Sequence, residues 1–376
     1  MAPDPMRSDD GDDALHAARS LILAEGRNAT SYQILNPGFE RWLTPADDAV
    51  VGFVSTTRGR VAAGGPVSAP ESRLDAALLF ERETGSTHRD GERVCWFCAI
   101  EEFADSLVDA GGHSAILIGA QPVWDPAGWA AKVAAHPSLR AQLRRATNKG
   151  VVVDEWSTEK ARAHPELERC LDAWLAARAL PPLHFLIEPR TLDRLFDRRV
   201  FVATRADRVV GFVLLSPITR RNGWLVEQFV RTPDAPNGVA ELMLDRAITT
   251  LADEGFDYVT LGLAPLSRAH RTRRNERSRR NPPMIRFLLS WLRLHGRRFY
   301  NFDGLEAFKA KFRPDEWEPV YAAVNAPRFP ITTLYAIAAA FTQGRPVRTI
   351  RAALFKAIGA EMRRLLSRIV PRRTAT

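Results

Sequence analysis

The 376-residue chain holds three cysteines and no apolar run long enough to cross a bilayer. Three cysteines cannot frame a disulfide scaffold, so a reducing cytoplasm is the expected compartment. The longest mostly apolar stretch, Ile331 to Phe341, is eleven residues, against the roughly 20 that a spanning helix needs. The start, MAPDPMRSDDGDD, is acidic and has no apolar centre, unlike a secretory leader. GxGxxG, GxxxxGKS/T and HExxH are all missing, which argues against a Rossmann dinucleotide site, a P-loop and a zinc-protease helix. The eight histidines are scattered, and CWFC at 95–98 is one CxxC inside a strand-like run, read as buried core cysteines. No metal and no cofactor are expected.

What is present is globular: 45% hydrophobic and 26% charged residues leave enough apolar material for real cores. The length suits two packed domains better than one. The net charge of +9 is unevenly spread: from Gly262 onward there are 24 Lys and Arg against 7 Asp and Glu, whereas the part before it is net acidic. A basic third of this kind predicts a polyanionic partner, nucleic acid or an anionic lipid surface.

Strands alternate with helices along the chain, which predicts an α/β (α+β) fold around mixed sheets. Residues 1–30 read as an acidic flexible arm and helix, and 31–130 as a first domain with strands at 49–57, 93–99 and 114–120 and helices at 74–84 and 101–110. Residues 131–150 read as a basic connecting helix ending at Gly150, and 151–325 as a second domain. In that domain helices are expected at 166–179, 191–196, 239–254 and 284–295, and strands at 199–205, 209–217, 224–230 and 258–263. Residues 326–376 form a basic tail in which Val347, Ile350, Leu354, Ile358, Met362, Leu365 and Ile369 share one helical face. That pattern suits either a membrane surface or packing on the preceding domain.

The chemistry concentrates in Trp224 to Ile248, which reads as strand, turn and helix. Asp234, Pro236, Asn237 and Gly238 are turn and N-cap residues, and a loop opening a helix offers free N–H groups to an anion. Glu227 falls within the strand, on the face that strict alternation shares between Leu225 and Phe229. A carboxylate among apolar side chains must find a cationic partner or a raised pKa; otherwise the strand is an edge and the residue faces water. The run 268–280 carries seven arginines, suited to phosphate contact or to a solvated loop.

PDAPNG at 233–238, LGLAPLS at 261–267 and FYNFDGLEAFKAKFRPDEWEPVYAA at 299–323 resemble the catalytic region of phosphatidylglycerol lysyltransferases of the MprF type and their standalone relatives, the DUF2156 group. The resemblance spans roughly Ala130 to Ala323. It implies two tandem GNAT-like acyltransferase domains joined through a basic helix. It also implies an aminoacyl-tRNA-dependent transferase that moves lysine or another amino acid to a lipid hydroxyl such as that of phosphatidylglycerol. The expected setting is cytoplasmic and peripheral at the inner membrane surface, in a soluble form without the membrane domain of the full-length enzymes. Glu227 occupies the position where the family usually shows an aspartate, in a strand that ends with Arg. Here Val230 falls at the usual Arg position and Arg231 lies one residue later.

On this resemblance Glu227 and Asp234 are the candidate catalytic carboxylates. Arg231, Asn237, Gly238, Lys309, Lys311, Arg313 and Tyr321 are candidates for substrate binding, with the three basic side chains of the FKAKFR segment directed at the tRNA 3′ phosphates. Arg140, Arg144, Arg145 and Lys149 are candidates for tRNA contact, and an anionic membrane lipid is the acceptor and second partner. The alternatives are an acyl-CoA-dependent GNAT N-acyltransferase and a non-catalytic GNAT-like module that binds RNA or membranes.

Overall fold

The computed structural model describes residues 6–85, 93–178, 182–267 and 302–344. The arginine-rich run 268–280, the helix expected over 284–295 and the tail 346–373 lie outside them.

In chain order the first part comprises α1 (Met6–Glu25), β1 (Glu40–Leu43), β2 (Ala49–Thr56), β3 (Gly59–Ala63), β4 (Val67–Ser68), α2 (Arg73–Gly85), β5 (Val94–Ile100), α3 (Glu101–Asp109) and β6 (Ser114–Trp124). Two short helices follow, α4 (Trp129–Ala135) and α5 (Pro137–Thr147). The second part comprises β7 (Val151–Trp156), α6 (Thr158–Ala161), α7 (Pro165–Ala177), β8 (Arg199–Arg205), β9 (Arg208–Ile218), β10 (Gly223–Arg231), α8 (Val239–Asp253), β11 (Tyr258–Thr260), β12 (Ala264–Pro265), α9 (Phe302–Ala310), β13 (Glu316–Val324) and α10 (Ile331–Phe341).

All the described strands join one sheet, in the order β1-β2-β3-β5-β13-β6-β11-β10-β9-β8-β7, with β12 on β6 and β4 on β2. Read inward from either edge, the order is the same: antiparallel strands, one parallel pair, then the antiparallel centre β13–β6. The parallel pairs are β3–β5 and β10–β11, and every other described pairing is antiparallel. The late strand β13 is inserted between β5 and β6 of the first part. Each half of the sheet is therefore completed by chain from the other.

Burial follows the alternation of each strand. Cys95 and Phe97 of β5 face α1 and α10, beside Ile22 and Ile337, whereas Val94 and Trp96 face α2 and α3, beside Phe80 and Phe103. In the second half α8 buries Val239, Met243, Leu244, Ala247, Ile248 and Leu251 on the sheet, and α7 covers the other face with Leu167, Cys170 and Leu171. The arm is packed along its second half: Ala18 and Ile22 of α1 are fully enclosed.

Three local expectations change. The connecting helix is two helices, because Pro137 at the first position of α5 has no N–H to continue α4 and holds His136 extended at φ −114°, ψ 96°. Residues 191–196 form turns, not a helix: six residues cannot offset the cost of nucleation, and Asp197 at φ 50° ends the segment. β11 stops at Thr260, since the carbonyls of the next three residues are engaged by a lysine, described below.

Candidate functional site

β10 and β11 pair over only three residues, Gly223–Leu225 against Tyr258–Thr260. Beyond that point β10 continues on β9 alone among the described strands, and a bulge at Glu227 interrupts its register between Val226 and Gln228. The extra residue shifts the two-residue period. Phe229 consequently packs with Trp224 and Val226 toward α8, while Leu225 packs on the opposite face with Ala29 and Tyr258. The expectation that Glu227 shares a face with both Leu225 and Phe229 is thus corrected.

The Glu227 side chain is 7% exposed and has found a cation. Arg198 donates from Nε to Oε2 at 3.0 Å and from Nη2 to Oε1 at 3.2 Å. Gln33 Nε2 donates to Oε1 at 2.5 Å and to Ser216 Oγ at 3.1 Å. Arg198 also donates to Asn36 Oδ1 at 2.7 Å and to the Arg194 carbonyl at 2.7 Å, and its guanidinium lies 4.8 Å from the centre of the Tyr32 ring. Burial works against its charge, but Glu227 more than offsets this and holds the guanidinium above its ordinary pKa. The Tyr32 hydroxyl donates to the Phe196 carbonyl at 2.5 Å, and burial pushes its phenol up. The N-terminal segment thereby reaches the middle of the second half of the sheet.

The loop from Thr232 to Gly238 leads from β10 to α8. Gly238 has φ +99°, and a Cβ there would stand 2.2 Å from the Gln142 carbonyl oxygen of α5, so only glycine lets the two helices meet. Arg231, Asp234 and Asn237 are exposed around this buried glycine. The Asp234 carboxyl is held below its usual range by hydrogen bonds from Thr232 and from its own backbone amide, with Arg208 and Arg205 adding to the effect.

Arg140, Arg144, Arg145 and Lys149 line an open concavity of about 550 Å³ on α5, together with Pro137, Ala141 and Asn148. Arg140 is partly committed, donating to the Ala134 carbonyl at the end of α4. Arg145 bonds Gln142 Oε1 at 3.3 Å within its own helix, while Arg144 and Lys149 are exposed.

The FKAKFR segment differs from its expected direction toward phosphates. Lys309 is 5% exposed and spends its three donors on the carbonyls of Leu261, Gly262 and Leu263 at 2.7, 2.8 and 2.9 Å. Burial pushes its ammonium down to about 7. Lys311 is paired with Glu241 of α8 and lies over the rings of Phe308 and Phe312. Arg313 alone of the three is exposed without such a pair among the described residues, at φ 52°. Tyr321 is not near this region: it is buried in the first half of the sheet, with its hydroxyl donating to Glu101 at 2.9 Å.

Sequence reading missed Arg198 and Gln33, which meet Glu227, and Asn36 and Tyr32, which meet Arg198, through the tertiary fold alone. It also missed a second network at the sheet centre, where Arg221 grips both oxygens of Glu318 at 2.6 and 2.8 Å. Gln121 at 2.8 Å and the Tyr258 hydroxyl at 3.0 Å donate to the same carboxylate. Burial opposes the Glu318 charge, yet Arg221 brings its carboxyl below the ordinary range. Among the described residues no group of three His, Cys, Asp or Glu side chains is placed to hold a metal. Cys95, Cys98 and Cys170 are buried, and burial pushes all three thiols up.

A single mixed sheet, with one parallel strand pair on each side of the antiparallel centre β13–β6 and helices packed on both faces, makes this an α/β protein. The chain belongs to the family described as phosphatidylglycerol lysyltransferase, C-terminal, whose model matches residues 19–324. The phosphatidylglycerol lysyltransferase of Bacillus subtilis (strain 168) is 23% identical over 322 residues, 85% of this chain and 36% of that protein. The chain therefore spans little over a third of that relative's length. Among solved structures, the C-terminal DUF2156 domain of a lysylphosphatidylglycerol synthetase from Agrobacterium fabrum superposes with TM-score 0.73 at 22% identity, covering 90% of this chain and 99% of that one. L-PGS from Bacillus licheniformis gives 0.67 at 19% identity, covering 94% and 96%. No helix among the described residues is long and apolar enough to cross a membrane.

Proposed function

We propose that the chain moves an amino acid, lysine or another, from its ester on charged tRNA to a hydroxyl of an anionic lipid such as phosphatidylglycerol, at the inner membrane surface. The observation that carries this reading is the exposed basic face of α5, packed through Gln142 against Gly238 at the N-terminus of α8. A fixed row of arginine and lysine beside a helix start suits a nucleic-acid backbone whose end enters the gap left by β10 and β11.

An aminoacyl ester is already activated, so transfer to a hydroxyl needs alignment, a proton acceptor and stabilisation of the tetrahedral oxyanion. Asp234, exposed and held below its usual range, suits the cationic α-ammonium; Glu227 takes the acceptor proton only after parting from Arg198 and Gln33, which engage both its oxygens. The Asn237 amide and the N–H groups of Ala240 and Glu241 in the first turn of α8 supply neutral donors for the oxyanion or the terminal phosphate, the Val239 N–H being taken by the Pro236 carbonyl. Arg144, Arg145 and Lys149 hold the acceptor end of the tRNA.

The test follows label from the donor. The full chain is given phosphatidylglycerol and either tRNA charged with labelled lysine or an equal amount of a labelled coenzyme A ester. Label passing to the organic phase from tRNA alone supports the reading; label passing only from the thioester replaces it with an acyl-CoA-dependent acyltransferase.

A further inference from the structure

The first half of the sheet has its own counterpart to the β10–β11 parting. β3 and β5 run parallel over Arg60–Ala63 and Val94–Phe97, after which the chain turns through Gly64, Gly65 and Pro66 toward α2. A Cβ on Gly65 would lie 2.7 Å from the Phe103 ring, and one on Gly64, at φ +72°, 2.6 Å from Asn28 Nδ2. The glycines let this turn lie flat on both neighbours, and beside it is a cavity of about 20 Å³ whose polar lining is Glu25, Arg27, Asn28, Ser31 and Arg73, with Ile100 and Phe103 as apolar wall. That is room for one or two oxygen-sized atoms.

Two polar side chains of this lining are unused. Arg73 is 9% exposed and Ser31 4% exposed, and neither side chain makes a hydrogen bond or ion pair with another described residue. The charges that Arg73 feels are Glu102, Arg27, Glu25 and Arg220. Glu102 pairs with Arg27 at 3.6 Å and Glu25 with Arg220 at 2.9 Å, so each acid is taken by another arginine. One positive charge is left over, and it is the buried one. A desolvated guanidinium without a counter-ion is costly, and the group that matches it is a planar-facing oxyanion. The two acids nearby disfavour a dianion and favour a singly charged phosphodiester.

Ser31 also connects this cavity to Glu227. It precedes the single turn Tyr32–Leu35, in which Gln33 donates to Glu227 Oε1. A ligand held on Ser31 thus lies within one turn of backbone from Gln33, whose side chain donates to Glu227.

We propose that this cavity receives one non-bridging oxygen of the acceptor lipid's phosphodiester on Arg73 and Ser31, with the phosphorus and ester oxygens held at its open mouth, a site that rests on the lipid-acceptor reading above. Ile100 and Phe103 form the apolar wall beside the glycerol stem. Binding is measured calorimetrically on the full chain without tRNA, using soluble short-chain phosphatidylglycerol, inorganic phosphate and a short-chain neutral diacylglycerol. The phospholipid binds, and Arg73→Met weakens it by about tenfold or more, Arg73→Lys by less and Ser31→Ala by about threefold, with inorganic phosphate weaker and the neutral lipid silent. Unchanged phospholipid binding in Arg73→Met overturns the site; if that variant does not fold, unchanged binding in both Arg73→Lys and Ser31→Ala does so. Inorganic phosphate binding as tightly as the lipid overturns the lipid assignment. Arg73-dependent lipid binding without any transfer from charged tRNA keeps the site and removes the transferase reading.

Discussion

Arg198 holds both carboxylate oxygens of Glu227, and the two side chains are 1% and 7% exposed. This ion pair lies at the bulge where β10 leaves its parallel partner. It ties a residue of the sheet to Asn36 and Tyr32 of the N-terminal segment.

Removing one member leaves a buried charge uncompensated. Arg198→Met is expected to destabilise the fold by about 3–5 kcal/mol, and Arg198→Met with Glu227→Leu by less than the sum of the single changes. Urea denaturation of the four proteins in the cycle measures this. Glu227→Gln keeps the shape but leaves the buried Arg198 charge unmatched, so its urea midpoint is measured alongside; in the folded variant turnover is expected to fall much more than tRNA affinity. Equal losses in both would confine the residue to a structural role.

Gly238→Ala introduces a Cβ at φ +99° against a backbone carbonyl, neither of which can yield cheaply. A loss of about 1–3 kcal/mol is expected from the backbone conformation alone, with weaker tRNA binding as α5 is pushed from α8. Thermal unfolding and a filter-binding titration read the two effects separately.

How much of this was legible in the sequence depended on range. The β10–loop–α8 unit was readable because Pro236, Asn237 and Gly238 are local turn chemistry followed by a helical apolar period. The bulge was not, since LVEQFV fits either register until β9 fixes it. Arg198 and Gln33 were invisible as partners of Glu227 because they lie 29 and 194 residues away. The insertion of β13 between β5 and β6 had no local sign either, as its pattern says only that it is a strand. Lys309 and Lys311 looked like ligands for phosphate because nothing in FKAKF shows that carbonyls and Glu241 already await them.

Lys309 gives a pH dependence with a definite sign. Its folded pKa of about 7 lies below the usual lysine value of 10.5, so between these the unfolded chain binds more protons than the folded one. Stability is therefore expected to rise with pH across that window, and Lys309→Met to flatten the rise. Urea midpoints at pH 7, 8 and 9 for both proteins decide it; identical slopes would remove Lys309 as the cause.

The α5 face predicts a salt effect. Changing Arg144, Arg145 and Lys149 together to Ala leaves the Arg140 contact with α4 intact, so folding is expected to persist. Affinity for tRNA is expected to fall, with the slope of log K against log salt reduced by about 2–3. Titrations at several salt concentrations test it, and an unchanged slope would mean that the phosphates bind elsewhere.

The central claim is tested most directly by lipid mass spectrometry after incubating the purified full chain with a mixture of charged tRNAs and total lipid, with and without ribonuclease. The account predicts a phospholipid carrying one added amino-acid mass, formed with intact tRNA and lost after ribonuclease. Retained tRNA binding with no modified lipid under any condition would contradict it.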